Sequence, residues 1–184
     1  TGIKVLSWLI SIIDIKALYE IEMLYVYTFL IMFTFGGVTG IIISNSAIDM
    51  ILHDSYFIIG HFHYVLSSGA ALSLIAGYYK YSENILGNTY RKDMGNLQWI
   101  LLVWGLNGTF YPMHELGILG MPRRYSSYLD EWYEINKWIS YNSIISLISV
   151  IILVEIIRIQ LMGLGYRKDF NYKYLATDNI MNVE

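Results

Sequence analysis

The chain has 184 residues, 55% of them hydrophobic and only 15% charged, with a formal net charge of −3. Its mean hydropathy of +0.45 and its charge content set it apart from soluble domains, which carry about 25% charged residues, and it has no basic footprint for nucleic acid. The absence of cysteine excludes disulfides, thiolate zinc sites, iron–sulfur clusters and thioether-attached heme. Any metal or heme must be held by histidine, carboxylate, Met or Tyr.

Thr1 to Leu9 reads as the tail of a preceding helix, followed by a surface segment up to Ile21. Neither an initiator Met nor a secretory leader opens the sequence, so the chain is expected to start inside something longer, by processing or gene splitting. A helix needs about 20 mainly apolar residues to cross the hydrocarbon core, and four windows qualify. The first, Met23 to about Ser44, is uncharged between Glu22 and Asp49. The second runs from Tyr56 to about Tyr79. The third, Leu97 to about Leu119, departs from apolarity at His114 and Glu115. The fourth, Trp138 to about Met162, is interrupted by Glu155 and Arg158, which are three apart and expected to pair. The expected organisation is a helix end plus matrix-side connection over 1–22, a four-helix membrane region over 23–163 and a polar matrix-side tail over 164–184.

Four spans place the N-terminus, the Lys80 to Asn96 loop and the tail on one side. That side holds nine basic residues (Lys4, Lys16, Lys80, Arg91, Lys92, Arg158, Arg167, Lys168, Lys173), against Arg123, Arg124 and Lys137 on the other. The asymmetry marks the first side as cytoplasm or mitochondrial matrix.

The second span is the most informative. Three of the four histidines, His53, His61 and His63, lie within eleven residues. His61 and His63 sit in an uncharged stretch, where ionisable side chains are costly and are functional candidates. Residues two apart on an α-helix differ by about 200° around the axis, so the two histidines project from opposite faces. One metal cannot use both, but two metals or hemes could. Small neighbours (Gly60, Ser67, Ser68, Gly69, Ala70, Ala71) admit a bulky group close to the backbone, and imidazole is a standard heme ligand. Physics alone leaves a packing role and a two-heme role both open. Other residues have equally ordinary readings. Asp54 at a helix start is usually a cap, as Asp49 and Tyr56 could be caps or anchors. Lys4 near a span end snorkels, and Arg123 and Arg124 touch headgroups.

The stretch His53-Asp-Ser-Tyr-Phe-Ile-Ile-Gly-His-Phe-His-Tyr-Val-Leu-Ser resembles the tenth-helix signature of subunit I in the heme–copper oxidase family. Lys4-Val-Leu-Ser-Trp-Leu, Phe33-Thr-Phe-Gly-Gly-Val-Thr-Gly, Asn45-Ser-Ala-Ile-Asp and Gly120-Met-Pro-Arg-Arg-Tyr follow the family's order, so the similarity covers roughly Thr1 to Gly163. The resemblance implies an all-α integral membrane fold, with the four spans as helices nine to twelve of a twelve-helix bundle and Thr1 to Leu9 as the end of helix eight. It further implies that His61 is the proximal ligand of the oxygen-binding heme a3 and His63 an axial ligand of the six-coordinate heme a. His53 and Asp54 become Mg²⁺ ligands, Arg123 and Arg124 partners of heme propionates, and Asp49 and Tyr56 neighbours of the propionates and proton exit. Lys4 becomes the lysine of a proton pathway, with Thr1 as a hydroxyl relay.

Some positions depart from the family pattern. Glu115 stands where an aromatic is common, Met113, Ser68 and Ser55 are changes conservative in size, and His114 has no assigned role. The family's copper B ligands, the second histidine of heme a and a second proton path belong to helices outside this sequence. The resemblance therefore implies partners: the N-terminal part of subunit I, subunit II with its copper centre, subunit III, cytochrome c and membrane lipids. The assembly would reduce oxygen to water in a mitochondrial inner membrane, or alternatively a bacterial plasma membrane. A quinol-oxidising oxidase is a rival reading, which His53-Asp54 and Tyr64 after His63 disfavour. A heme-free structural subunit and a small transporter are others.

Overall fold

The computed structural model describes residues 1–13 and 20–164. The expected matrix-side connection over 14–19 and the tail from 165 onward lie outside the described residues. In chain order the helices are α1 (Gly2–Ile13), α2 (Ile21–Ser44), α3 (Ser46–Leu52), α4 (Tyr56–Val65), α5 (Leu72–Leu86), α6 (Lys92–Ile118) and α7 (Tyr133–Leu161). A π-helical turn, Leu66–Ala71, joins α4 to α5, so Tyr56–Leu86 is one continuous rod.

Local chemistry accounts for the joints. Thr28 and Thr34 return their hydroxyls to Leu24 O and Leu30 O, at 2.8 and 2.7 Å, which lets α2 carry them through an apolar stretch. The Asn45 side chain ends α2 and starts α3 by accepting from Ala47 N at 3.1 Å. Ser55 caps α4 through Phe57 N at 3.3 Å. Between them Asp54 turns the chain with φ 56°, an uncommon left-handed conformation that Asp tolerates better than most residues. At the other end of the rod, Gly87 closes α5 at φ 71°.

Among the described residues three helices are long and apolar enough to cross a membrane: Ile21–Ser44, Tyr56–Leu86 and Asp130–Leu161. The third expected window is different. Helix α6 has the length, 27 residues, but is not among these three. It nonetheless runs the full depth of the bundle. At its N-terminal end Lys92 meets Glu20 at 2.9 Å, beside the Lys80–Glu22 pair at 3.5 Å. At its C-terminal end the following loop joins the start of α4, where Tyr56 N donates to Met121 O at 3.0 Å.

Of the polar residues that lower the hydropathy of α6, Gln98, Thr109 and His114 are buried and Asn107 is half-buried, whereas Lys92, Asp93, Asn96 and Glu115 are exposed. Gln98, fully buried, accepts from Tyr25 and Tyr79 hydroxyls and donates to Ser149 Oγ at 3.1 Å, tying α2, α5, α6 and α7 together. Asn107 accepts from the Tyr64 hydroxyl at 2.9 Å. Buried, satisfied polar groups of this kind are admissible in a membrane bundle.

The helices begin earlier or end later than the apolar windows, as at Lys92 and Tyr133. The extra turns are polar and extend beyond the hydrocarbon. Lys80, Lys92 and Arg158 lie at one pole, where Gln160 also donates to Asn88 O at 2.7 Å and closes α7 onto the loop before α6. Arg123, Arg124 and Lys137 lie towards the other pole, as the alternation of helix directions requires. Of the apolar windows only 28%, 28% and 17% is buried, so most of the apolar surface is left for lipid or for other helices.

Candidate functional site

The two span histidines are built alike. His61, on α4, has its Nδ1 3.0 Å from Gly36 O and 3.1 Å from Thr39 Oγ1, both on α2. The carbonyl accepts, so the network assigns the proton to Nδ1 and leaves the Nε2 lone pair available. Gly40 makes room for the ring, since a Cβ there would stand 2.9 Å from His61 Cε1. His63 donates from Nδ1 to Ile59 O at 2.8 Å within its own helix. Its ring lies flat between Phe62 and Phe110, at centroid distances of 4.4 and 4.5 Å. No hydrogen bond reaches Nε2 of either ring among the described residues. Tying one ring nitrogen to a carbonyl, with the other left free, is the arrangement that orients a metal-ligating imidazole.

No group of three or more His, Cys, Asp or Glu that could hold an ion occurs among the described residues, and His61 and His63, two apart on α4, project from opposite faces. The donor set fits two hemes, each taking one imidazole from an opposite side of α4. Phe33-Thr-Phe-Gly-Gly-Val-Thr-Gly gains a purpose that sequence reasoning did not give it, because it supplies the Gly36 carbonyl, the Thr39 hydroxyl and the Gly40 gap.

A second cluster forms at the pole before α4. The loop after α6 zips against Asp54–Tyr56. Ser55 and Pro122 form an antiparallel bridge, Arg123 N donates to Asp54 O at 2.9 Å, and Arg123 Nε donates to Asp54 Oδ1 at 2.6 Å. His53 Nε2 is 3.5 Å from Asp54 Oδ2, and its Nδ1 is 3.8 Å from Asp49 Oδ2. The two carboxylates address opposite nitrogens of one ring. His53 and Asp54 lie close enough to contribute to one ion, and Asp49 stands beside them without a hydrogen bond to the ring. Two donors leave most of a Mg²⁺ octahedron to water or another chain. Arg124 is exposed, held at φ 67°, and makes no side-chain hydrogen bond among the described residues. Tyr56 packs with Leu116, Met121 and Ile139.

Lys4 and Thr1 stand apart from both clusters. They lie exposed on or just before α1, which touches α2 mainly through Trp8 against Phe29, at a centroid distance of 5.7 Å. His114, left without a role, proves buried against α4, with Nδ1 3.0 Å from Phe110 O and no partner for Nε2 among the described residues.

The Arg123 guanidinium holds the Asp54 carboxyl below its ordinary range, first through its hydrogen bond. A depressed carboxyl contributes stability above its unfolded pKa, about 3.9, and that contribution is lost as pH falls through the folded value. The protection of the Arg123 and Tyr56 backbone amides, measured relative to their intrinsic exchange rates, is therefore expected to fall in acid, below the ordinary carboxylate range. Arg123→Met should lower that protection already at pH 7 and remove its acid dependence. An unchanged exchange profile would show that the ion pair does not anchor the loop.

The family described as cytochrome c and quinol oxidase polypeptide I matches residues 1–151. The chain belongs to this family. It is 46% identical over 130 residues to cytochrome c oxidase subunit 1 of Eremothecium gossypii and equally to that of Candida albicans, and 43% identical to that of Yarrowia lipolytica. Each alignment covers 71% of this chain and 24% of the relative, so the chain spans about a quarter of the length of these proteins. Its fold is that of a chain in a cryo-EM structure of a heme-copper terminal oxidase dimer, with a TM-score of 0.72 at 18% identity over 91% of this chain and 33% of that one.

Proposed function

We propose that this chain supplies one side of each heme pocket in a cytochrome c oxidase, as helices nine to twelve of subunit I. The observation that carries this reading is the pair of Nδ1-anchored imidazoles on opposite sides of α4. His61 is the axial ligand of heme a3 and His63 an axial ligand of heme a. His53 and Asp54 take part in a Mg²⁺ site, and Asp49 lies beside it as a neighbour of the propionates and proton exit. Arg123 has five N–H donors, of which Nε and one terminal nitrogen are engaged by Asp54. The remainder, with Arg124, are suited to propionate carboxylates, and Tyr56 anchors the loop that presents them. Lys4 and Thr1 contribute to proton uptake along a path that other helices complete.

When bound, the hemes and copper B supply electron transfer and the reduction of oxygen to water, coupled to proton pumping. Copper B is not ligated by this chain. The missing helices come from the N-terminal part of subunit I, as a separate polypeptide or a continuation of this one. Subunits II and III complete the assembly, cytochrome c is the electron donor, and the mitochondrial inner membrane is the location. The yeast relatives and the His53–Asp54 pair favour cytochrome c over quinol as donor, and the two free Nε2 atoms favour a heme-binding over a heme-free role.

The test is a carbon monoxide difference spectrum of the dithionite-reduced native assembly, purified through a tag on this chain. A heme a3–CO signal is expected. An intact assembly without CO-binding heme would leave a structural membrane subunit.

A further inference from the structure

His114 is the ionisable group this reading leaves unused, and its surroundings are unusual. Its ring occupies a notch in α4 at Gly60, the residue before His61. A Cβ at Gly60 would lie 2.7 Å from His114 Nδ1 and 2.8 Å from Cε1. Phe57 and Tyr64, one turn to either side on α4, meet the ring edge-on at 4.9 and 5.5 Å. Nδ1 lies 3.0 Å from Phe110 O, so the carbonyl sets Nδ1 as the protonated nitrogen. Nε2 is then a buried lone pair with no partner among the described residues. Leaving a buried acceptor unsatisfied is costly, so the ring is there for its shape and its single donor, not for full hydrogen bonding.

Two of its contacts lead to the axial histidines. Phe110, held at its carbonyl by His114, lays its ring on His63 at an interplanar angle of 13°. Phe35, which meets His114 edge-on at 5.9 Å, precedes Gly36, whose carbonyl orients His61. Gly60 fixes how far α4 is rotated about its own axis, and both imidazoles turn with it.

We infer that His114 is a positioning residue that keys the rotation of α4 between α2 and α6 and thereby sets the orientation of both axial imidazoles. The inference rests on His61 and His63 being heme ligands. It predicts that substitution disturbs the two heme environments together while both remain ligated.

The experiment uses the full oxidase assembly carrying His114→Phe, His114→Asn or, independently, Gly60→Ala. At matched heme content, the electron paramagnetic resonance of the six-coordinate heme and the resonance Raman iron–histidine stretch of the reduced five-coordinate heme are recorded. His114→Phe, which lacks the donor, and Gly60→Ala, which fills the notch, are expected to shift both signatures. His114→Asn keeps a donor towards the Phe110 carbonyl and should move them less. Unshifted signatures in the assembled fraction of His114→Phe and Gly60→Ala, however small that fraction, would assign His114 a merely structural role and overturn the inference. Failure of the ligand reading looks different: the wild-type assembly would lack heme, or its signatures would survive His61→Ala and His63→Ala.

Discussion

An assembly carrying His61→Ala is expected to lose its CO-binding heme signal while keeping the six-coordinate one, and His63→Ala to do the reverse. Either change should lower oxygen reduction by more than about 100-fold, because loss of a second-shell partner alone costs about 10- to 100-fold. The separation follows from how each ring is held. His61 takes its orientation from α2, through Gly36 O and Thr39 Oγ1, whereas His63 takes it from Ile59 O in its own helix and from the Phe110 ring. Removing one imidazole leaves the supports of the other in place. His53→Ala, at the pole of the helix, should spare both signals. Loss of both hemes from a single His61 or His63 variant, at normal assembly, would contradict two independent ligand sites. Optical spectra of the reduced and CO-treated samples decide the matter.

The parts of this site that depend on spacing were legible in the sequence. The two-residue interval between His61 and His63 dictates opposite faces, and gaps between charges locate the helices. Polar caps at Asn45 and Ser55 are of the residue types that start helices. The remainder depends on backbone atoms and on contacts between distant segments, which leave little trace in composition. Gly36 O and Ile59 O, the acceptors that orient the imidazoles, are present at every residue and carry no sequence signal. The meeting of Asp54 with Arg123 needs the Ser55–Pro122 bridge, which no periodicity announces. The π-turn at Leu66–Ala71 depends on hydrogen-bond register rather than on residue type. Helix α6 shows the opposite case: its inward Gln98, Asn107 and His114 make it look less like a span, although polar residues satisfied inside a bundle are compatible with one. Lys4 carries the weakest support, since the resemblance gives it a role while its exposed position on α1 brings it near neither cluster.

Gly117→Ala is expected to disrupt assembly more than its single methyl suggests. An ideal Cβ at Gly117 would stand 2.1 Å from Phe57 N, 2.4 Å from Phe57 Cβ and 2.5 Å from Phe57 Cα. Two of those atoms are backbone, so no change of rotamer relieves the overlap, and α6 must move away from α4. Overpacking of a close-packed interior costs about 1–3 kcal/mol where side chains can adjust, and here the upper part of that range applies. Phe57 lies four residues before His61 on the same helix face, so the displacement carries directly to the imidazole and, through Gly60, to His114. The expected outcome is a lower yield of heme-loaded assembly, with a broadened CO signal in what remains. Gly77→Ala is the matched control. It lies on α5, in the rod against which α6 packs, a Cβ there meets nothing within 4 Å, and alanine is favoured over glycine in a helix by about 1 kcal/mol. Its yield should equal or exceed the wild type. Equal losses in the two variants would mean that the close approach at Gly117 is not what sets the yield. Equal yields would mean that α4 and α6 are not packed backbone to backbone at Gly117, and the rigid seating of both histidines that depends on this contact would fail with it.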